Sequence, residues 1–474
     1  MAKKIQLSLS LFCAVFLISA PLFAEIKLPA IFGNQMVLQQ QSDVAVWGTA
    51  EKNATVKVIT SWNNKKYTTK ASDDGRWKLK ISTPQAGGPY NLTISDGKEL
   101  TLENVLIGEV WVCAGQSNMQ MPMKGFANQP IIGSTDAILL STNAAIRFFT
   151  VTRATSLTPL EDFKGNWQIC NPETTSEFSA IAYFFGQMLQ KTLNVPIGLI
   201  HSSWGGTAIQ TWMGEGSCKE FDFISMDKTM PIIQNPPKAP TVLFNAMINP
   251  MLGYGIRGVI WYQGESNRPE PENYLKMFPA MIKDWRTKWE VGDFPFYYVQ
   301  IAPHGKNGVL PNGAFLREAQ LKTSTIVPNI GMVYALDVGE QINIHPANKE
   351  VVSKRLAYLA LSQTYNIKGI NPFSPTMKAM TIKSDTVRIT FDNAPNGLTS
   401  FGKELSLFEL AGADKVFYPA KATFAQNGIM LKSTSVAVPV AVRYAFKNFV
   451  VGDLFGTNGL PVSSFRTDDW EREK

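Results

Sequence analysis

The chain has 474 residues, of which 45% are hydrophobic and 18% charged, with a formal net charge of +7 at pH 7. That balance excludes a disordered chain and supplies apolar material for about two to four domains. Basic residues are scattered rather than run together, so no nucleic-acid partner is indicated; a mild positive balance suits at most an acidic glycan.

Residues 1 to 24 are set apart. Lys3 and Lys4 precede an uncharged apolar run from Leu7 to Phe23, and Ala20 and Ala24 offer small residues for cleavage, the pattern of a secretory signal. The run is short for a membrane span and no stop-transfer charges follow, so the expectation is export to the periplasm or beyond, with no stable membrane insertion after cleavage. Cys13 lacks the small preceding residue of a lipidated cysteine. Removing Lys3 and Lys4 lowers the net charge to +5. Three cysteines then remain, Cys113, Cys170 and Cys218, whose spacing matches no zinc pattern and predicts no particular disulfide.

From 25 to 104 short β-rich segments alternate with turn signals: Val44–Gly48, Thr55–Thr60 and Trp77–Ile81, separated by Asn63-Asn64, Asp73-Asp74-Gly75 and Gly87-Gly88-Pro89. This spacing predicts a β-sandwich module. From 105 to 371 the pattern changes to alternating strands and helices. Strands are expected at 105–113, 196–200, 255–262, 294–301 and 330–336, and helices at 179–193, 272–289, 314–323 and 347–363. Such alternation implies parallel strands with crossover helices, an α/β layered domain whose sites form beyond the carboxyl ends of the strands. From 372 to 474 the chain returns to strands, among them 386–391 and 436–444, the latter an edge strand or broken at Pro439, which cannot donate to a ladder.

Polar blocks follow four of the apolar strands. Gly115-Gln116-Ser117-Asn118-Met119 comes first, then His201-Ser202-Ser203-Trp204-Gly205-Gly206-Thr207, then Gln263-Gly264-Glu265-Ser266-Asn267, and last Asp337-Val338-Gly339-Glu340 leading to Asn343-Ile344-His345-Pro346. Each taken singly is ordinary turn composition. Together they fall at one edge of a parallel sheet, and that edge supports acyl transfer: Ser117 attacks a carbonyl, a histidine takes its proton, and glycine N–H groups with an amide side chain hold the oxyanion. The chain has three histidines. His345, in a loop made rigid by Pro346, is the favoured base, while His201 and His304 also lie at strand ends and are not excluded.

These blocks, in this order, resemble those of sialate O-acetylesterases and related carbohydrate acetylesterases of the SGNH hydrolase group, over a stretch from about residue 25 to the C-terminus. The resemblance implies a three-layer α/β/α esterase domain with a parallel sheet, flanked by β-sandwich regions, and hydrolysis of acetyl esters on sugars with no cofactor or metal. It assigns Ser117 as nucleophile and His345 as general base, and it gives the oxyanion to the Ser117 N–H, the Gly205 and Gly206 region and the Gln263 side chain. Many relatives carry an Asp two or three residues before this histidine, where this chain has Asn343 and Ile342. The third member of the triad is therefore open among Glu265, which is favoured, Asp337, Glu340, or none, since an Asn cannot supply a negative charge.

For substrate contacts, Trp204, Trp212, Trp261 and Tyr262 are aromatic candidates for stacking on a sugar, Asn267 lies in the third block, and Arg268 suits a bidentate pair with a sialic acid carboxylate. The expected substrate is O-acetylated sialic acid or another acetylated glycan. The alternatives are a plant polysaccharide such as acetylated xylan, or a glycan-binding protein whose esterase site has decayed.

Overall fold

The structure is a computed structural model that describes residues 25–227, 237–426 and 428–472. The segment read as a secretory signal lies outside the described residues. At its centre is a sheet built from β1 (Glu99–Gly115), β2 (Asn143–Thr150), β3 (Trp167–Cys170), β4 (Ile197–Ser203), β5 (Gly258–Tyr262), β6 (Phe296–Val299) and β7 (Ile330–Val333). The strand order is β7-β6-β5-β1-β4-β2-β3, parallel throughout except that β3 runs antiparallel to β2. The chain thus builds one wing of the sheet, returns to the far side of β1, and builds the other. Its direction reverses at β1, which opens a crevice at that strand's carboxyl end.

The apolar run that predicts β1 is buried on both faces, as a central parallel strand requires. Val110, Val112 and Ala114 join one core cluster, while Trp111 and Cys113 join the other, the period of two that a pleated strand imposes. On the first face pack α3 (Pro271–Trp289) and α4 (Asn312–Thr323), bringing Phe278, Trp285 and Leu316 against Trp261 and Phe296. On the second pack α2 (Ala180–Leu193) and α5 (Lys349–Leu359), bringing Phe185, Leu189 and Leu356 against Trp111 and Tyr297. Each such buried side chain contributes ~1.5–3 kcal/mol. The alternation thus gives an α/β layered domain, and its three α/β/α layers are those the resemblance implies. β2 and β3 went unrecognised in the sequence: β3 has four residues, and β2 opens on Asn143-Ala144-Ala145, with β-formers only at Ile146 and Phe148–Thr150.

The leading module consists of a two-stranded sheet, Asp43–Thr49 with Arg76–Ser82, packed with strands Thr55–Thr60, Lys66–Lys70 and Gly87–Ser95. The last of these pairs antiparallel with the first half of β1, so one 17-residue strand serves both sheets, with a bulge at Asn104, whose φ is 55°, where the register shifts between Leu102 and Val105. Val37–Gln39 adds a parallel pairing to Leu106–Gly108. The C-terminal region forms two four-stranded antiparallel sheets around Val387, Ile389, Phe408, Leu410 and Val442. Its strand near Pro439 begins only at Ala441, beyond the proline. Cys113, Cys170 and Cys218 are buried free thiols, and no helix of the described residues is long and apolar enough to cross a membrane.

Candidate active site

Ser117 stands at the carboxyl end of β1, at the first position of the short helix α1 (Ser117–Gln120). The approach requires glycine at 115. Its φ is 144°, and a Cβ there would lie 2.2 Å from the Tyr262 carbonyl oxygen of the neighbouring strand. β5 can therefore run close beside the turn, and the Gln116 N–H donates to the same Tyr262 carbonyl at 3.0 Å.

The amide side chains around Ser117 reach all three of the other blocks. Gln116 Oε1 accepts from the Gly264 and Ser266 N–H groups, both at 3.3 Å. Asn118 Nδ2 donates to Glu265 Oε1 at 2.5 Å and to the Ile344 carbonyl at 3.1 Å. Gln120 Oε1 accepts from the Gly205 N–H at 2.7 Å. The turn that presents the hydroxyl is thus fastened to the Gly205 loop, the Glu265 block and the His345 loop. Gly205 packs so tightly that a Cβ would fall 3.0 Å from Ser117 Cβ, while Gly206 is exposed with φ at 75°.

His345 is half-buried with its ring edge-on to Phe126, centroids 5.3 Å apart. Its Nδ1 contacts Gln129 Oε1 at 2.5 Å. An amide oxygen there accepts a hydrogen bond from Nδ1–H and leaves Nε2 as the basic nitrogen. Burial, then the nearby Lys349 ammonium, then His304, hold the imidazole down to about 4, so the ring is neutral at pH 7. The other two histidines sit differently. His201 is buried, bonds Ser203 Oγ at 2.5 Å through Nε2, and is pushed down to about 4 by burial and by Arg153. His304 lies at the rim with Nδ1 3.3 Å from the Glu340 carbonyl.

Several expected roles meet a different arrangement. Glu265 faces Asn118 rather than a histidine; it is 6% exposed, its carboxyl is raised by burial, and its Oε2 has no hydrogen-bond partner among the described residues. Asp337 is taken by Arg355 in a bidentate pair at 2.8 and 2.7 Å. Glu340 spends its oxygens on the Ala347 N–H and the Asn343 amide, at 2.7 and 3.1 Å. Asn343 braces its own loop, accepting from the His345 N–H at 3.0 Å and donating to the His345 carbonyl at 2.8 Å. None of these carboxylates bonds the His345 ring.

Gln263, expected as an oxyanion donor, is fully buried, and its Nε2 already donates to the Thr207 carbonyl at 3.2 Å and to Asn267 Oδ1 at 2.8 Å. Asn267 is buried too and receives the Ile209 N–H, so it pins the loop after Gly206 rather than facing a ligand. Trp212, Trp261 and Tyr262 are core residues, 0 to 1% exposed: Trp212 and Trp261 pack on the α3 side of the sheet, and Tyr262 in the core of the opposite face. Trp204 alone of the aromatic candidates is partly exposed; the guanidinium of exposed Arg153 lies 5.5 Å from its ring centroid. Arg268 is half-buried and donates from Nε to the Glu265 carbonyl at 3.2 Å.

Sequence reading missed Gln129, Lys349, Gln120 and Arg153. Only Gln120 carried a signal, since it continues the alternation of amides at 116 and 118.

A crevice at the reversal point of a parallel sheet, with a serine turn, a glycine loop and a histidine loop bonded together at its rim, defines an SGNH-type carbohydrate esterase. Residues 107–361 match the family described as carbohydrate esterase, sialic acid-specific acetylesterase. The sialate O-acetylesterase of Homo sapiens is 30% identical over 381 residues, covering 73% of this chain and 72% of the relative. That of Mus musculus is 26% identical, covering 87% and 88%. The crystal structure of a carbohydrate acetylesterase from Xanthomonas citri superposes with a TM-score of 0.86 at 34% identity, covering 94% of this chain and all of that one. The chain belongs to the sialic acid-specific acetylesterase family of carbohydrate esterases, and with it to the carboxylic ester hydrolases.

Proposed function

We propose that the protein is an exported esterase that removes O-acetyl groups from sialic acid or a related glycan through an acetyl-enzyme on Ser117. The observation that carries the reading is the 3.1 Å bond from Asn118 Nδ2 to the Ile344 carbonyl, which joins the residue after Ser117 to the residue before His345. Ser117 Oγ attacks the acetyl carbon as His345 Nε2 takes its proton. The Ser117 N–H and the Gly205–Gly206 loop receive the developing oxyanion; the Gly205 N–H already holds an amide oxygen, that of Gln120, which the substrate oxygen displaces. His345 returns the proton to the sugar oxygen as its bond to the acetyl carbon breaks, then activates the water that releases acetate.

Gln129 orients the imidazole in place of the usual carboxylate. A neutral amide fixes the tautomer yet offers less stabilisation to an imidazolium, so the site works as a dyad with an amide behind it. Glu265 acts through Asn118. Arg153 and Arg268 are the cations available for an acidic sugar, and Trp204 the ring for its apolar face. The names of the curated relatives support sialic acid; that of the Xanthomonas citri structure supports the broader carbohydrate class. Export rests on the basic and apolar pattern of residues 3–23.

The test is acetate release from O-acetylated sialic acid and from acetylated xylan by the wild type and by Ser117→Ala. The expected result is activity favouring the sialic acid that vanishes in the variant. Preference for xylan overturns the substrate, full activity of Ser117→Ala overturns the mechanism, and glycan binding with no release by the wild type marks a decayed site.

A further inference from the structure

We propose that Lys349 is a positioning residue for the reaction: its buried ammonium sets the orientation of the Asn118 amide and thereby the register of the Ser117 turn against the His345 loop. The proposal rests on the reading of Ser117 and His345 as nucleophile and base.

Lys349 is 1% exposed, at the first position of α5, four residues beyond His345 in the chain. Its Nζ donates to Asn118 Oδ1 and lies 5.7 Å from the centroid of the Tyr262 ring, on the strand that pairs with Gly115. An ammonium carries only donors, so whichever Asn118 atom faces it must be the oxygen. The Nδ2 group is then forced to the other side, where Glu265 Oε1 and the Ile344 carbonyl receive its two hydrogens. A half-turn of the amide would set Nδ2 against the ammonium and an oxygen against two acceptors, and both bonds that hold the His345 loop and the Glu265 block to the serine turn would be lost.

The ammonium also answers a charge. Glu265 is buried with an unpartnered Oε2, and a carboxylate in that position is costly unless a cation lies nearby. Burial pulls Lys349 down to about 7, while Glu265 and Glu340 pull it back up. Cation and acid meet through one neutral amide, with each group on a different element: α5, the turn after β1, and the block after β5. No other lysine of the described residues is as buried.

The test compares Lys349→Met, Lys349→Met with Glu265→Gln, and Ser117→Ala, measuring kcat and KM on a chromogenic acetate ester together with circular dichroism. A misplacement of the reacting groups by about 1 Å lowers the rate roughly 100-fold. The expected result is therefore a fall of about that size in kcat for Lys349→Met, with KM within about threefold of wild type. The double variant has no unpaired charge left, so it decides the matter should the single variant fail to fold; it is expected to fold and to keep the low kcat. Wild-type kcat in either folded Lys349 variant overturns the positioning role. So does a double variant that does not fold, which would make Lys349 a core support. Full activity of Ser117→Ala overturns the underlying mechanism instead.

Discussion

Two buried carboxylates, on neighbouring stretches of the same sheet, are treated in opposite ways. Glu109, in the middle of β1 and away from the crevice, is saturated: Arg257 meets it through two bonds at 2.6 and 3.0 Å, Gln40 at 2.6 Å, Gln39 at 3.3 Å and the Tyr365 hydroxyl at 2.8 Å. Glu265, at the carboxyl edge, has a side-chain bond to Asn118, a bare second oxygen, and a cation held one residue away. The first arrangement locks three other chain segments to β1 and leaves nothing to react. The second leaves a polar environment partly unsatisfied around a hydroxyl, as is common where a fold gives up stability for chemistry.

The sharpest way to break that contrast is to remove one group at each end. Ser117→Ala and His345→Ala should each lower kcat/KM for an acetate ester by more than about 10⁴-fold with little change in thermal midpoint. Gln129→Leu comes next. With no acceptor on Nδ1, the imidazole loses its tautomer and aim, and kcat should fall about 10- to 100-fold at an unchanged KM. Arg257→Met should do the reverse: it strands a buried anion, and because Arg257 is itself a third exposed the loss of stability should be about 2–3 kcal/mol in urea unfolding, with kcat unchanged where the protein is folded. A drop in kcat without a drop in stability would erase the distinction between the two ends.

The smallest effect is on pH. His345 is faced by Lys349 and His304, with Phe126 and Gln129 on its ring, and its ionisation lies near 4. The acid limb of kcat/KM should accordingly fall near pH 4, with the base form present above it. Replacing Gln129 by Glu sets an anion against Nδ1, which favours the imidazolium and should move that limb upward. The same depressed ionisation has a stability sign. The fold prefers the neutral ring, so stability is lost as pH falls from the unfolded value of about 6.5 towards 4. A wild-type limb at 6.5 would contradict the environment assigned to the ring.

What the sequence made legible was whatever local pattern controls. An apolar run ending in glycine gave β1 and its turn, and polar blocks after successive apolar strands gave the edge at which the Ser117 turn, the Gly205 loop, the Glu265 block and the His345 loop are bonded together. What it hid were pairings across the chain. Gln129 meets His345 over 216 positions and Lys349 meets Asn118 over 231, with no spacing to announce either. The aromatic candidates show the same limit from the other side. Trp212, Trp261 and Tyr262 have the composition of a sugar platform, but only packing decides whether a ring at a strand end faces outward or inward, and here it turns them into the core. Gln263 likewise is an amide at the right place whose hydrogens are already committed.

The length of β1 has a consequence for how this molecule can be divided. Ser117 is carried at the tip of a strand whose other end is woven into the leading module, and Val37–Gln39 and the Tyr254 hydroxyl, 2.7 Å from the Val37 carbonyl, stitch that module to the base of the catalytic layer. A fragment trimmed to begin at 105 would leave an edge of unpaired backbone directly beneath the nucleophile's strand. The smallest piece expected to fold with its serine in place therefore starts near residue 25, and a leading segment that meets β1 at the end away from Ser117 is part of the enzyme's working minimum.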